Sequence, residues 1–220
     1  MAFLKKKGTV FGVVVLILVL AIVFVFIQLG LVTQLRIGVG WKAQILSSGV
    51  FVSGREPGPV LSEDVAVHPI LRFIGTKVDI EKKEVRASFL GLIKNRSIYH
   101  QELGSILLSG ASEETVRSWP VDIPDPQPAN PESIPWPAGD LIIDSAPAPA
   151  VDESSLNRVV EEAFAEPDPE VPRRTRSIII VHDGRLIAER YAPGITREMP
   201  LIGWSMTKSA TSALVGILVG

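Results

Sequence analysis

An uncharged run follows Lys5, Lys6 and Lys7, passing from Thr9 through Ile27 to Val32. A helix over this run is long enough to cross about 30 Å of hydrocarbon. Its valines and isoleucines do not oppose a helix, because lipid offers the backbone no outside partner. The lysines on the short N-terminal flank predict a single-pass span with the N-terminus inside. The bulk of the chain, from about Arg36 onward, is then extracytoplasmic (periplasmic). A cleaved signal peptide is the alternative, but its apolar core is about 7–15 residues followed by a small-x-small site. This run is longer, and Gly38-Val39-Gly40 is the only nearby candidate. Residues 1–35 are therefore expected to be a signal anchor that contacts membrane lipid through residues 9–32.

Beyond the anchor the chain is uneven in charge and composition. It has no cysteine, so disulfides, thiolate metal sites and lipoprotein lipidation are excluded. No metal or other cofactor is expected. His68 and His100 are isolated and read as surface or structural residues. No stretch combines enough basic charge with interleaved aromatics to track phosphates, which argues against a nucleic-acid partner.

Residues 36–115 read as a small β-rich region. Gly49-Val50-Phe51-Val52-Ser53-Gly54 is an apolar run between glycines, expected as a strand. Val85–Leu90 and Ser97–His100 alternate, with Leu90–Arg96 as a connecting turn. Val78-Asp79-Ile80 before Glu81–Glu84 suggests another hairpin. Residues 116–150 are rich in proline and acid and read as a linker, since proline fixes φ and removes donors. Gly139–Asp144 is the apolar patch within it, able to dock on a domain.

Residues 151–220 carry the chemistry. Asp152 or Ser154 caps a helix whose apolar stripe is Leu156, Val159, Val160, Ala163 and Phe164. Arg176–Val181 and Leu186–Tyr191 flank Asp183-Gly184, a strong hairpin signal. The near-continuous apolar first strand predicts burial on both faces. Ser205-Met206-Thr207-Lys208 then opens a helix that is apolar almost all round from Ala213. Ser205 and Lys208 are one turn apart on the same face. A serine hydroxyl needs a neighbour to take its proton, and a lysine can do so when burial and a helix N-terminus disfavour its charge. Ser209 and Ser212 extend that face, where their hydroxyls could bond Lys208. The bare S-x-x-K pattern is weak, with about 0.7 matches expected by chance from this composition. Its place after a strand–turn–strand unit, on an apolar helix, strengthens it.

Ser205-Met206-Thr207-Lys208 after Gly203-Trp204, with the Ile178–Tyr191 hairpin upstream, resembles the class C β-lactamase and penicillin-binding-protein-like serine hydrolases. The likeness is strongest to the branch containing esterases and 6-aminohexanoate-dimer hydrolases. Ser48–Arg55 after a membrane segment is similar to the N-terminal region of anchored members of that branch. The resemblance implies an α/β fold in which residues 151–220 begin a β-lactamase-like antiparallel sheet flanked by helices. It implies that Ser205 is acylated, that Lys208 assists proton transfer, and that the Ser205 N–H forms half of an oxyanion hole. The substrate would be a small-molecule amide, ester or β-lactam. The family's Tyr-x-Asn motif is absent, since Tyr99 is followed by His100-Gln101 and Tyr191 by Ala192-Pro193, and no Lys/His-x-Gly strand follows Ser205. The chain is thus expected to be an N-terminal fragment, inactive alone.

Other readings are an anchored binding or structural module working through residues 41–112, and an α/β-hydrolase elbow at Gly203–Thr207. The elbow is disfavoured by Thr207 where a glycine belongs. A His182/Asp183/Ser205 triad fails because adjacent turn residues cannot line up in series with the serine. A second span from Ala210 is disfavoured by its length.

Overall fold

A computed structural model describes residues 2–28, 30–66, 69–122, 130–136, 139–142 and 151–219. In the first helix, side chains are described at residues 13–25 and 27. The side chains of Lys5–Lys7, together with His68, the linker prolines Pro124, Pro126, Pro128, Pro137, Pro147 and Pro149, and Ile143 and Asp144, lie outside the described residues. The architecture is α/β, with a four-stranded antiparallel sheet, a separate two-stranded sheet, and helices. Two compact units share the chain: residues 1–120 with 202–220, and residues 121–201.

In the first unit, helix α1 (Ala2–Gln28) is closed by Gly30, whose φ of 64° lets its N–H reach the Ile27 carbonyl at 3.0 Å. Among the described residues no helix is long and apolar enough to cross a membrane, so the expected span gains no support here.

Helix α2 (Leu31–Ser47) buries Leu35, Val39, Ala43 and Leu46, a stripe at helical spacing. The stripe covers one face of the sheet formed by β1 (Ile74–Asp79), β2 (Glu84–Phe89), β3 (Ile93–His100) and β4 (Gly104–Leu107), ordered β1-β2-β3-β4. The connection between β2 and β3 is only Leu90–Leu92, because Ile93–Arg96, expected as turn, pairs with β2. Ile74, Val85 and Ala87 alternate inward into the α2 core. Gln44 and Ser47 of α2 fasten the far end, with Gln44 Nε2 to the Ser105 carbonyl at 2.6 Å and Ser47 Oγ to Ser105 Oγ at 2.9 Å.

The strand expected over Gly49–Gly54 is helical instead. Ser48–Val52 continues α2 in a widened turn with the Ser53 N–H on the Ser48 carbonyl, 3.0 Å. A short apolar run between glycines does not distinguish strand from helix, and contact with Val60 decides it. Helix α3 (Pro57–Pro59) and the turn Val60–Val65 fold back over Gly49, and Arg55 ties this return through Glu63 and Asp64.

Among the described residues Lys42 is the one lysine buried in this core, with Nζ donating to the carbonyls of Leu71 at 2.9 Å and Ile74 at 2.7 Å. These bonds fix α2 against the start of β1. Burial pushes the Lys42 ammonium below the usual lysine range. Between that lowered value and the unfolded lysine pKa the unfolded chain binds more protons, so stability rises as pH climbs through this window. Alkaline unfolding curves should show this rise, and Lys42→Met should abolish it. An unchanged slope in the variant would assign the effect elsewhere.

On the outer face of the sheet, α4 (Glu113–Arg117) is capped by Ser112, which accepts from the Thr115 N–H. It is tied to β3 by Arg96 Nη1 and Glu113 Oε2 at 2.8 Å.

In the second unit, Asp152 caps α5 (Glu153–Phe164), accepting from the Ser154 N–H at 3.0 Å. Hydrogen bonds from Ser155 and Ser154 hold its carboxyl below the usual range. Strands β5 (Ser177–His182) and β6 (Arg185–Tyr191) join through Asp183 and Gly184, whose φ values are 47° and 72°. Burial of β5 on both faces does not occur. Ile179 is 52% and Val181 45% exposed, because two strands offer one covered face at most and α5 reaches only part of it. That helix contacts the hairpin through Arg190, which pairs with Glu161 and lies 5.0 Å over the Phe164 ring. Thr175 Oγ1 also donates to the Ala163 carbonyl at 2.8 Å. In the linker, Leu141 closes on its own segment. Its N–H bonds the Ile134 carbonyl at 3.0 Å and its carbonyl receives the Trp136 N–H at 2.9 Å, closing a local loop.

Candidate active site

The segment that presents Ser205 is fixed from upstream. Ile202 packs against the core under α2, and the Trp204 ring stacks on Trp41 of that helix, centroids 5.9 Å apart and planes at 27°. To reach this position Trp204 takes φ of 45°, an uncommon conformation for a bulky side chain. The reversed backbone produces a 3₁₀ turn at Trp204–Met206, with the Met206 N–H on the Gly203 carbonyl at 2.8 Å. Helix α6 (Thr207–Val219) begins directly after it. Ser205 therefore sits in the turn before the helix, two residues ahead of its first turn, where it was expected.

Ser205 and Lys208 are brought together: Lys208 Nζ donates to Ser205 Oγ at 3.2 Å. Both side chains are exposed, as are Ser209 and Ser212. The expectation that α6 is a buried central helix is overturned along its described length. Leu214, Ile217 and Leu218 are 63%, 77% and 86% exposed. An all-round apolar pattern favours burial only where a partner surface exists, and none among the described residues covers α6. The hairpin β5–β6 belongs to the other compact unit.

Neither tyrosine is positioned as a second proton carrier. Tyr191 O–H donates to Glu189, which also pairs with Arg197. That arginine holds the Glu189 carboxyl below its usual range, while burial pushes the Tyr191 phenol up. Tyr99 lies 5.1 Å under Lys83 Nζ in the first unit. His100 accepts from the Glu102 N–H, a local turn contact. Among the described residues no cluster of three His, Asp or Glu could hold a metal ion.

A second feature was not anticipated. On the outer face of the sheet Lys77, Arg86 and Arg96 stand directly opposite one another across β1, β2 and β3, with Lys94 beside them. They line a cleft of about 730 Å³ together with Gly75 and Ser88. Beneath the row Glu84, only 3% exposed, binds Arg86 Nη2 at 2.5 Å and Arg96 Nη1 at 3.2 Å. The signal was period-two alternation: outward positions of the hairpins carry these cations, but only the strand register aligns them.

No family model, curated protein or solved structure matches the chain significantly.

Proposed function

We propose that the chain is a membrane-anchored, β-lactamase-related protein whose Ser205 is the acylated nucleophile and Lys208 its proton partner. The observation that supports this is the Lys208–Ser205 hydrogen bond at 3.2 Å, formed across the turn that starts α6. In this reading the substrate is a small-molecule amide, ester or β-lactam, and acylation needs the lysine neutral and shielded from water. Among the described residues the pair is open to solvent and so not shielded, and neither a Tyr-x-Asn nor, after Ser205, a Lys/His-x-Gly is there to complete the site. The 220-residue chain is accordingly inactive by itself. The anchor reading rests on the uncharged run after Lys5–Lys7 and on the 27-residue helix α1. It places residues beyond Arg36 on the extracytoplasmic side.

A fluorophosphonate probe applied to membranes carrying the 220-residue chain should leave Ser205 unlabelled. In native membranes a labelled peptide containing Ser205 is expected, lost in Ser205→Ala. Stoichiometric labelling of the chain alone refutes its inactivity, and failure to label the native gene product refutes the hydrolase reading.

One observation favours a second reading, an anchored binding module. Nearly all buried apolar residues lie between Leu35 and Val116, and the basic cleft belongs to that region, whereas α6 is exposed throughout.

A further inference from the structure

The two ends of the four-stranded sheet differ in polarity. One end carries the β1–β2 turn with Glu81, Lys82 and Lys83, all exposed, beside Ile80 at 62% and, in the β3–β4 turn, Leu103 at 40%. The other end displays Leu90 and Leu92 in the β2–β3 turn, 74% and 84% exposed, with Phe73 at 58% just before β1. Ile37 of α2, 65% exposed, joins this end.

The turn itself is unusual. Leu90 and Gly91 are its two central residues, with φ of 49° and 71°, and the Leu92 N–H closes it on the Phe89 carbonyl at 3.0 Å. A two-residue turn with both φ positive ordinarily takes Asn-Gly or Asp-Gly, as Asp183-Gly184 does in β5–β6. A leucine there accepts a left-handed backbone and gains no burial within the protein in return. Strain together with an exposed apolar tip points to a surface outside the chain.

The position of α1 identifies that surface. Gly40 of α2 lies beside Asn95 of β3, where a Cβ would stand 3.2 Å from Asn95 Nδ2, and Ser97 Oγ bonds Gln44 Oε1 at 2.9 Å. Helix α2 and strand β3 therefore run in the same direction. From Gly40 back to Leu31 is roughly 13 Å at helical rise, and from Asn95 back to Leu92 is roughly 10 Å in a strand. The Leu90–Leu92 tip thus lies near the level at which α2 begins, where α1 joins through Gly30. Cations ring the same end: Arg36 on α2, Lys94 beside the tip, and Arg72 over the Phe73 ring at 4.8 Å.

We propose that this end of the sheet rests in the interfacial layer of the bilayer that holds α1. Leu90, Leu92 and Phe73 enter the headgroup–acyl boundary, while Arg36, Arg72 and Lys94 are drawn to the net negative charge of anionic headgroups. This rests on the anchor reading. It adds that the folded sheet stands directly on the membrane, with its charged Glu81–Lys83 turn pointing away.

The absence of native cysteine allows single labels in the full chain. Leu18→Cys, Leu92→Cys and Lys82→Cys are each labelled with an environment-sensitive fluorophore. The protein is reconstituted in phosphatidylcholine–phosphatidylglycerol vesicles containing nitroxide-bearing lipid. Quenching several-fold stronger at position 92 than at position 82 is expected, along with quenching at position 18. Quenching at position 18 without position 92 overturns this inference and leaves the anchor standing, whether the tip is then open to water or covered by another protein. No quenching at position 18 overturns the anchor itself. Leu90→Asn, which suits the turn better, should stabilise the fold yet weaken quenching at position 92. Equal quenching in phosphatidylcholine alone removes the role assigned to the cations.

Discussion

Gly49→Ala should destabilise the unit built on α2 by about 1–3 kcal/mol, the usual cost of forcing an extra carbon into a packed core. A Cβ at this position would lie 2.7 Å from both γ carbons of Val60. Val60 is fully buried, and its branched side chain has no free rotamer into which to retreat. The backbone at Gly49 is helical, so alanine's better helix propensity opposes the clash by up to about 1 kcal/mol. The steric effect should win because the return segment is pinned on its far side by Arg55 with Glu63 and Asp64. Chemical unfolding followed by far-ultraviolet circular dichroism reads the loss directly. In a Val60→Ala background the added penalty of Gly49→Ala should vanish or reverse. An equal loss in both backgrounds would show that contact with Val60 is not the cause.

The same contact shows why parts of the fold were legible in the sequence and others were not. Helix α5 and the β5–β6 hairpin are written in local signals: Asp152 caps within three residues, and Asp183-Gly184 carries its own backbone preference. Strands β2 and β3 showed through alternation, which one covered face imposes. Gly49–Gly54 has no such local signature. Its apolar run suits either state, and the choice lies with Val60 across a folded-back loop. Helix α6 fails differently. Its composition expresses a preference for burial, which is an energy and not a place, and no described neighbour realises it. For the candidate site, the i to i+3 spacing of Ser205 and Lys208 was enough to place them in contact. Their exposure was not readable, because it depends on Trp204 turning back onto Trp41 and on what surrounds α6. The basic row was hidden for a comparable reason. Lys77, Arg86 and Arg96 are distant in sequence and meet only through strand register.

That row leads to the second large effect. Lys77, Arg86 and Arg96 are like charges directly opposite one another on adjacent strands, an arrangement that weakens a sheet. Glu84 is what makes it tolerable, since one buried carboxylate takes a guanidinium on each oxygen. Glu84→Ala should therefore cost about 1–3 kcal/mol. Breaking a fully buried pair costs about 3–5 kcal/mol, but here the arginine side chains are 57% and 36% exposed, so solvent screens part of the loss. Arg96 also keeps Glu113 as a partner. Two features separate this cause from simple loss of packing. Released repulsion between the arginines is screened by salt, so the penalty should shrink as ionic strength rises, whereas a cavity would be indifferent. In an Arg96→Met background the penalty should also fall, giving a coupling energy of about 1 kcal/mol or more. A salt-independent loss with no coupling would reduce Glu84 to a space-filling residue and leave the stability of the cationic row without an electrostatic account.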